Sequence, residues 1–208
     1  MMQLIKPYSD ESLNIIYNQL FCDIPSLYNS GADIKSYPWS ILFAEDNTGQ
    51  ALLGVAEDKK LESRLRLLAY NEIRSKGLPA GDRELLAVII EVGLEGGLDV
   101  LAAFHDGTAR YINQSEKLVV WETQTEASQN CIRDLFAESI KVVSKIGPWD
   151  KERLPPPSNG NIRLNFLVSD GLYFGSGPFD VLARDAMGGP VIQAATALMT
   201  YLTGKVHT

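Results

Sequence analysis

Residues Glu84 to Glu122 read ELLAVIIEVG-LEGG-LDVLAAFH-DG-TARYIN-QSEK-LVVWE, four apolar runs separated by three turn signals. Short runs rich in aliphatic and aromatic residues, cut by Gly-rich or Asp-Gly segments, are the pattern of consecutive β-hairpins. In such a meander the register decides which side chains share a face. Reading Asp106-Gly107 as a two-residue turn sets His105 opposite Thr108, Ala103 opposite Arg110 and Leu101 opposite Ile112. A second two-residue turn at Ser115-Glu116 places Val119 beside Ile112 and Trp121 beside Arg110. One face then carries Leu101, Ile112 and Val119 at one end and His105, Thr108, Arg110 and Trp121 at the other. In that arrangement the Arg110 guanidinium lies over the Trp121 indole as a cation–π pair. The opposite face, with Phe104, Tyr111 and Val120, reads as core.

Working outward, the amino-terminal side is helical. Ser9 is the expected N-cap of a helix over residues 10–22, with Asp10 and Glu11 at its positive end and Leu13, Ile16, Tyr17 and Leu20 on one stripe. Asp23 to Ser36 is polar and punctuated by Gly and Pro, hence loop. Tyr37 to Ala44 (YPWSILFA) is short and aromatic-rich, which predicts a strand opened by Pro38. Gln50 to Lys76 returns to helical spacing, divisible at Gly54 or at Asp58-Lys59-Lys60, and Gly77 with Pro79 stops it. Beyond the meander, Gln124 to Ile146 carries an apolar stripe (Ala127, Cys131, Leu135, Phe136, Ile140, Val143) opposite a charged one and predicts an amphipathic helix.

Gly147 to Asn161, with Pro155-Pro156-Pro157, predicts an extended surface connector. Ile162, Leu164, Phe166 and Val168 alternate with Arg163 and Asn165 as a strand, and Asp170-Gly171 predicts a hairpin turn returning over Leu172 to Gly175. Gly175 to Phe179 reads as loop, Phe179 to Asp185 as a short helix, and Val191 to Leu202 as a helix rich in small residues, with Pro190 at its start. Strand runs separated by helices, with no βαβ alternation, predict an α+β fold. Its sheet is an antiparallel meander over about 84–122, extended by a hairpin over about 162–175, with three to four helices packed on it. A chain of 208 residues is read as one domain, the connector at 147–161 lying within it.

Composition limits function. With 45% hydrophobic and 22% charged residues the chain has the balance of a soluble globular protein. A net charge of −7 and no basic run exclude a nucleic-acid surface from the expectations. No apolar run is long enough for a membrane helix, and MMQLIKPYSDESL has no apolar leader core. Two cysteines, Cys22 and Cys131, supply no disulfide framework and, with two histidines, no metal set. They fit a reducing, cytoplasmic setting. Asn113-Gln114-Ser115 matches a glycosylation acceptor by chance. No cofactor motif is present: Gly175-Ser176-Gly177-Pro178 lacks the spacing and lysine of a phosphate loop. No GxSxG occurs, and adjacent carboxylates such as Glu45/Asp46 and Glu57/Asp58 point apart. Glu91, alone in the run VIIEVG, is expected on an exposed strand face.

His105 is the candidate acid/base, being the histidine nearest a carboxylate and an arginine. Thr108, Arg110 and Trp121 are the candidate ligand- or partner-binding residues. The first functional expectation is a non-catalytic module that binds a protein partner or itself, the latter through the small face Ala194, Ala195 and Ala197 of the last helix. The second is a small-molecule-binding domain or enzyme with its pocket at the His105/Arg110/Trp121 end, between the meander and the carboxyl-terminal hairpin.

Overall fold

The computed structural model describes residues 4–29 and 35–206. The middle of the expected 23–36 loop and the terminal His207 lie outside the described residues. In chain order the elements are α1 (Glu11–Leu20), α2 (Trp39–Leu42), α3 (Gly49–Glu57), α4 (Ser63–Ser75), β1 (Leu85–Leu94), β2 (Gly97–Phe104), β3 (Ala109–Ile112), β4 (Leu118–Trp121), α5 (Glu126–Val143), β5 (Asn161–Val168), β6 (Gly171–Pro178), α6 (Phe179–Arg184) and α7 (Gly188–Val206), with a 3-10 turn at Pro25–Tyr28. The fold is α+β, and its six strands form one sheet in the order β4-β3-β2-β1-β5-β6 with every neighbour antiparallel.

Helices cover both faces of this sheet. On one side α1, α3 and α4 pack over Ile89, Val100, Ala102, Phe104 and Ile112. On the other, α5 and α7 pack over Val88, Ile90, Leu101, Ala103, Phe166 and Tyr173. Burial on both faces explains why Leu85 to Ile90 and Val100 to Phe104 are unbroken apolar runs instead of alternating ones. Phe104 and Phe166 are fully buried on opposite faces, each contributing about 1.5–3 kcal/mol through the area removed from water.

Several elements differ from the sequence expectation for physical reasons. Tyr37–Ala44 holds a helical turn and not a strand: Pro38 O accepts from the amides of Ile41 and Leu42. Trp39 and Phe43, four residues apart, stack at 5.7 Å, a spacing only helical backbone provides. The N-cap of α1 is Asp10, whose carboxylate accepts from the amides of Ser12 and Leu13. Ser9 is drawn off to Glu116, donating from its amide and hydroxyl at 2.8 and 2.6 Å. Gly175–Pro178, expected as loop, completes β6 opposite Asn161–Leu164. The β5–β6 turn is Ser169-Asp170, one residue earlier than Asp170-Gly171, because Val168 pairs with Gly171.

The β1–β2 turn is the two residues Glu95-Gly96, but the next two turns of the meander are three residues long. Phe104 pairs across His105-Asp106-Gly107: its amide donates to Thr108 O, its carbonyl accepts from Gly107 N, and Gly107 has φ +87°. Asn113 does the same across Gln114-Ser115-Glu116, with Glu116 at φ +61°. Each is the type I turn plus left-handed residue of a three-residue hairpin. Pairing therefore slips by one: Arg110 faces Ala102 and Val120, while Trp121 faces Ala109. A one-residue slip sends side chains to the other face. Phe104 and Tyr111 lie in different cores, and Val120 is 52% exposed.

Glu91 is not exposed; it is fully buried on the α1 side. Its two carboxylate oxygens accept from the Tyr17 hydroxyl (2.7 Å) and the Asn165 amide (2.9 Å). Arg163, its cross-strand partner, brings Nη1 to 3.6 Å. Burial and the neighbouring carboxylate hold the Tyr17 hydroxyl well above its ordinary pKa, so it stays a donor. Arg163 Nη1 also donates to the carbonyls of Leu154 and Pro155, tying the proline-rich connector to the sheet.

Because removing one member of a buried ion pair strands the other charge, Glu91→Ala is expected to lower the unfolding free energy by about 3–5 kcal/mol. Tyr17→Phe, which removes one hydrogen bond, should cost about 1–3 kcal/mol. Urea unfolding of both variants checks the order; equal small losses would contradict it. Cys22 offers a chemical check on packing. Burial pushes its thiol up to about 12, so at pH 8 the thiolate is scarce in the folded state. Iodoacetamide at pH 8 should leave Cys22 unmodified until urea unfolds the protein, as read by peptide mass spectrometry. Modification at the unfolded rate would refute the packing.

Candidate functional site

The residues singled out from sequence are divided by the sheet. Arg110 lies on the α1–α4 side and is 6% exposed. Its Nη2 donates to Glu122 at 2.7 Å and its Nη1 to the carbonyls of Ala109 and Trp121. Trp121 lies on the α5–α7 side, its ring edge-on to Tyr201 at 5.5 Å. The expected cation–π pair is therefore absent: the two side chains point to opposite faces. Asp106 is used up as a joint between elements. One oxygen accepts from the Ser63 amide at the start of α4 (2.7 Å), the other from the amide and hydroxyl of Thr108 (3.0 and 2.7 Å). His105 is exposed, its ring edge-on to Phe136 of α5 at 5.7 Å. With Arg83, Glu84 and Ile140 it borders a recess of about 300 Å³.

A larger concavity lies at the same end of the sheet, on the α1–α4 side. It has a volume of about 500 Å³ and is walled by the end of α1, by α4, by the connector at 148–153 and by the β5–β6 turn. That volume is within the range of small-molecule sites. The connector is extended by its prolines and pinned by Arg153. Arg153 is 4% exposed and sets its guanidinium 3.9 Å from the Phe21 ring centre and 5.3 Å from that of Tyr17. Its Nε donates to Asp23 at 2.9 Å and its Nη2 to Asn18 at 2.8 Å. Burial lifts the Asp23 carboxyl above the usual carboxylate value, with Arg153 pulling it back. Trp149 forms a backbone bridge to Leu172, packs edge-on to Phe174 at 5.1 Å and carries Lys151 over its ring.

The polar groups of this cleft are incompletely matched. Among the described residues eight buried side-chain polar atoms have no hydrogen-bond partner. Three of them, Asp23 Oδ1, Arg153 Nη1 and Asp170 Oδ1, belong to residues that line this one cleft. Arg74 adds a half-buried cation whose partners are the Ser169 carbonyl (2.8 Å) and the Asn71 amide oxygen. No carboxylate stands within ion-pair distance of it among the described residues, and burial lowers its pKa. No group of three or more His, Cys, Asp or Glu side chains among the described residues is arranged to hold a metal ion.

No protein-family model, curated protein or solved structure matches this chain. The site must be read from its own groups.

Sequence reasoning passed over Arg74, Arg153 and Asp170 because they sit in a helix, a connector and a turn far apart in the chain. The available signal was polarity out of place: Arg163 and Asn165 in an apolar strand, and Arg153 beside three prolines. No helix of the described residues is long and apolar enough to cross a membrane. The contrast between turn and ring is testable. Asp106→Ala removes a helix cap and a turn brace together and should cost about 1–2 kcal/mol in urea unfolding. His105→Ala, at an exposed position, should fall within about 0.5 kcal/mol of the parent. A larger loss at His105 than at Asp106 would overturn this assignment of roles.

Proposed function

We propose that this protein is a small-molecule-binding domain whose ligand occupies the cleft between the connector and the β5–β6 turn. This is the second functional expectation, with the pocket moved from the His105/Arg110/Trp121 end of the meander to the cleft beside the β5–β6 turn. One observation carries it: a concavity of ligand size is walled by aromatic and charged side chains from separate parts of the chain, Phe21, Arg74, Trp149 and Asp170 among them. The apolar part of the lining, Phe21, Leu67, Trp149 and Leu172, suits the usual composition of such sites, mostly apolar with a few placed polar groups. His105 and its smaller recess lie at the same end and share Val168 with the cleft wall. The unpaired thiols Cys22 and Cys131 support a reducing, cytoplasmic setting for this activity.

A second reading, association with a protein partner or another copy, is favoured by the exposed apolar side chains Phe179 and Val181 of α6 and Met187 beyond it, Val181 being 62% exposed.

Native mass spectrometry of the protein as purified separates the two. The cleft reading expects excess mass on the 22.9 kDa chain that is lost on denaturation, and lost also in Trp149→Ala. A clean dimer without excess mass, together with no thermal shift across a library of metabolites, would replace it by the association reading.

A further inference from the structure

The charges around the cleft differ in what they leave open to a ligand. On the connector side Asp23 Oδ2 is held by Arg153 Nε at 2.9 Å. At the β5–β6 turn Asp170 Oδ2 accepts from Arg83 Nε (3.0 Å) and from the Tyr173 hydroxyl (2.9 Å). The remaining oxygens of both carboxylates, and Arg153 Nη1, are closed to solvent. Each pair is neutral and offers a ligand no free charge. Arg74 of α4 is different. Of the five N–H groups of a guanidinium it commits two, to the Ser169 carbonyl and the Asn71 side chain. Its Nε has no acceptor among the described residues, yet it is not sealed off from solvent. Asp170 is the carboxylate whose field reaches it, and that charge is already matched by Arg83. The wall therefore keeps one positive charge that no side chain among the described residues neutralises.

The connector adds Asp150, Lys151 and Glu152 to the lining. All three are exposed, and Lys151 lies over the Trp149 ring. Their sum is one negative charge, carried on side chains that water and salt screen. They leave the half-buried Arg74 as the stronger determinant, because a charge drawn away from water gains more from an opposite partner. The exposed acids still count against a second negative charge on the ligand. Resting on the cleft reading above, we infer that the ligand is a carboxylate with a large apolar body. The carboxylate accepts from Arg74 without displacing either of that residue's own acceptors, through charge-assisted hydrogen bonds about twice as strong as neutral ones. The apolar body lies against Phe21, Leu67, Trp149 and Leu172, and a cleft of about 500 Å³ has room for an aromatic ring.

The test uses the full chain and four probes of similar shape: 3-phenylpropionate, its neutral amide 3-phenylpropanamide, the cation 3-phenylpropylamine, and 2-phenylethyl phosphate. Binding is followed by ¹H–¹⁵N spectra at the Trp149 Nε1–H and Arg74 Nε–H signals. 3-Phenylpropionate should shift both signals saturably and bind at least about tenfold more tightly than the amide, and more tightly than the amine or the phosphate. Arg74→Gln should bring 3-phenylpropionate down to the level of the amide, whereas Lys151→Gln should retain the preference. The comparison of probes on the unsubstituted protein stands even where a variant folds poorly. If the amide or the amine binds as tightly as 3-phenylpropionate, the carboxylate inference is overturned while the cleft remains a site. It is overturned equally if Lys151→Gln, and not Arg74→Gln, abolishes the preference, or if the phosphate binds more tightly than the carboxylate. If none of the four shifts Trp149 but a panel of sugars or nucleosides does, the ligand class is wrong and the site stands. If nothing in either set shifts Trp149, both readings fall.

Discussion

A single buried carboxylate organises one side of this fold. Glu91 sits on a central strand, out of water, where an unpaired charge would cost several kcal/mol. It persists because three side chains from two elements converge on it: Tyr17 from α1, and Asn165 and Arg163 from β5. Each partner carries a second duty. Arg163 holds the connector carbonyls of Leu154 and Pro155. Tyr17 presents its ring to the guanidinium of Arg153, the connector residue that reaches back to Asp23 and Asn18. A proline-rich segment, poor in backbone donors, has few ways of bonding to the sheet for itself. Here it is fastened by two arginines whose positions trace back to Glu91, and the fastened connector is one wall of the cleft.

The same logic explains why Glu91 was misread in sequence. A carboxylate among Val, Ile and Gly on an alternating strand is most simply placed toward water, and nothing local to VIIEVG contradicts that. What contradicts it lies 74 residues away on either side, in Tyr17 and Asn165. The unbroken run Leu85 to Ile90 was the better guide, because six apolar residues in succession bury both faces of a strand. Read that way, Glu91 continues a doubly covered strand and must find a partner.

The strands, the four hairpin-linked runs and the helices α1, α3, α4, α5 and α7 were legible because apolar periodicity and turn residues are local properties. The division between α3 and α4 at Asp58-Lys59-Lys60 follows that pattern directly. Register was not legible. Asp106-Gly107 is compatible with a two-residue turn and with a three-residue turn starting at His105, and the choice is made by tertiary contacts. Asp106 is engaged by Ser63, Gly107 takes the left-handed position, and Glu116 tolerates the same conformation while it binds Ser9 and Asp10. One extra residue in the β3–β4 turn put Arg110 and Trp121 on opposite faces, one in the β2–β3 turn set Arg110 opposite Ala102, and together they dissolved the site drawn from the two-residue reading.

The cleft was illegible for a related reason. Its charged groups each look structural when taken alone: Arg153 grips α1, Asp170 braces a turn through Tyr173 and Arg83, and Arg74 closes the end of α4 onto Ser169. Only the assembled end of the sheet brings them to one concavity. Structural contacts hold each of them in place. Side chains fixed in this way would lose little further entropy on meeting a ligand. The connector wall draws its position from the fold: its anchors, Arg163 and Arg153, contact Glu91 and Tyr17, so that wall depends on the buried carboxylate of β1.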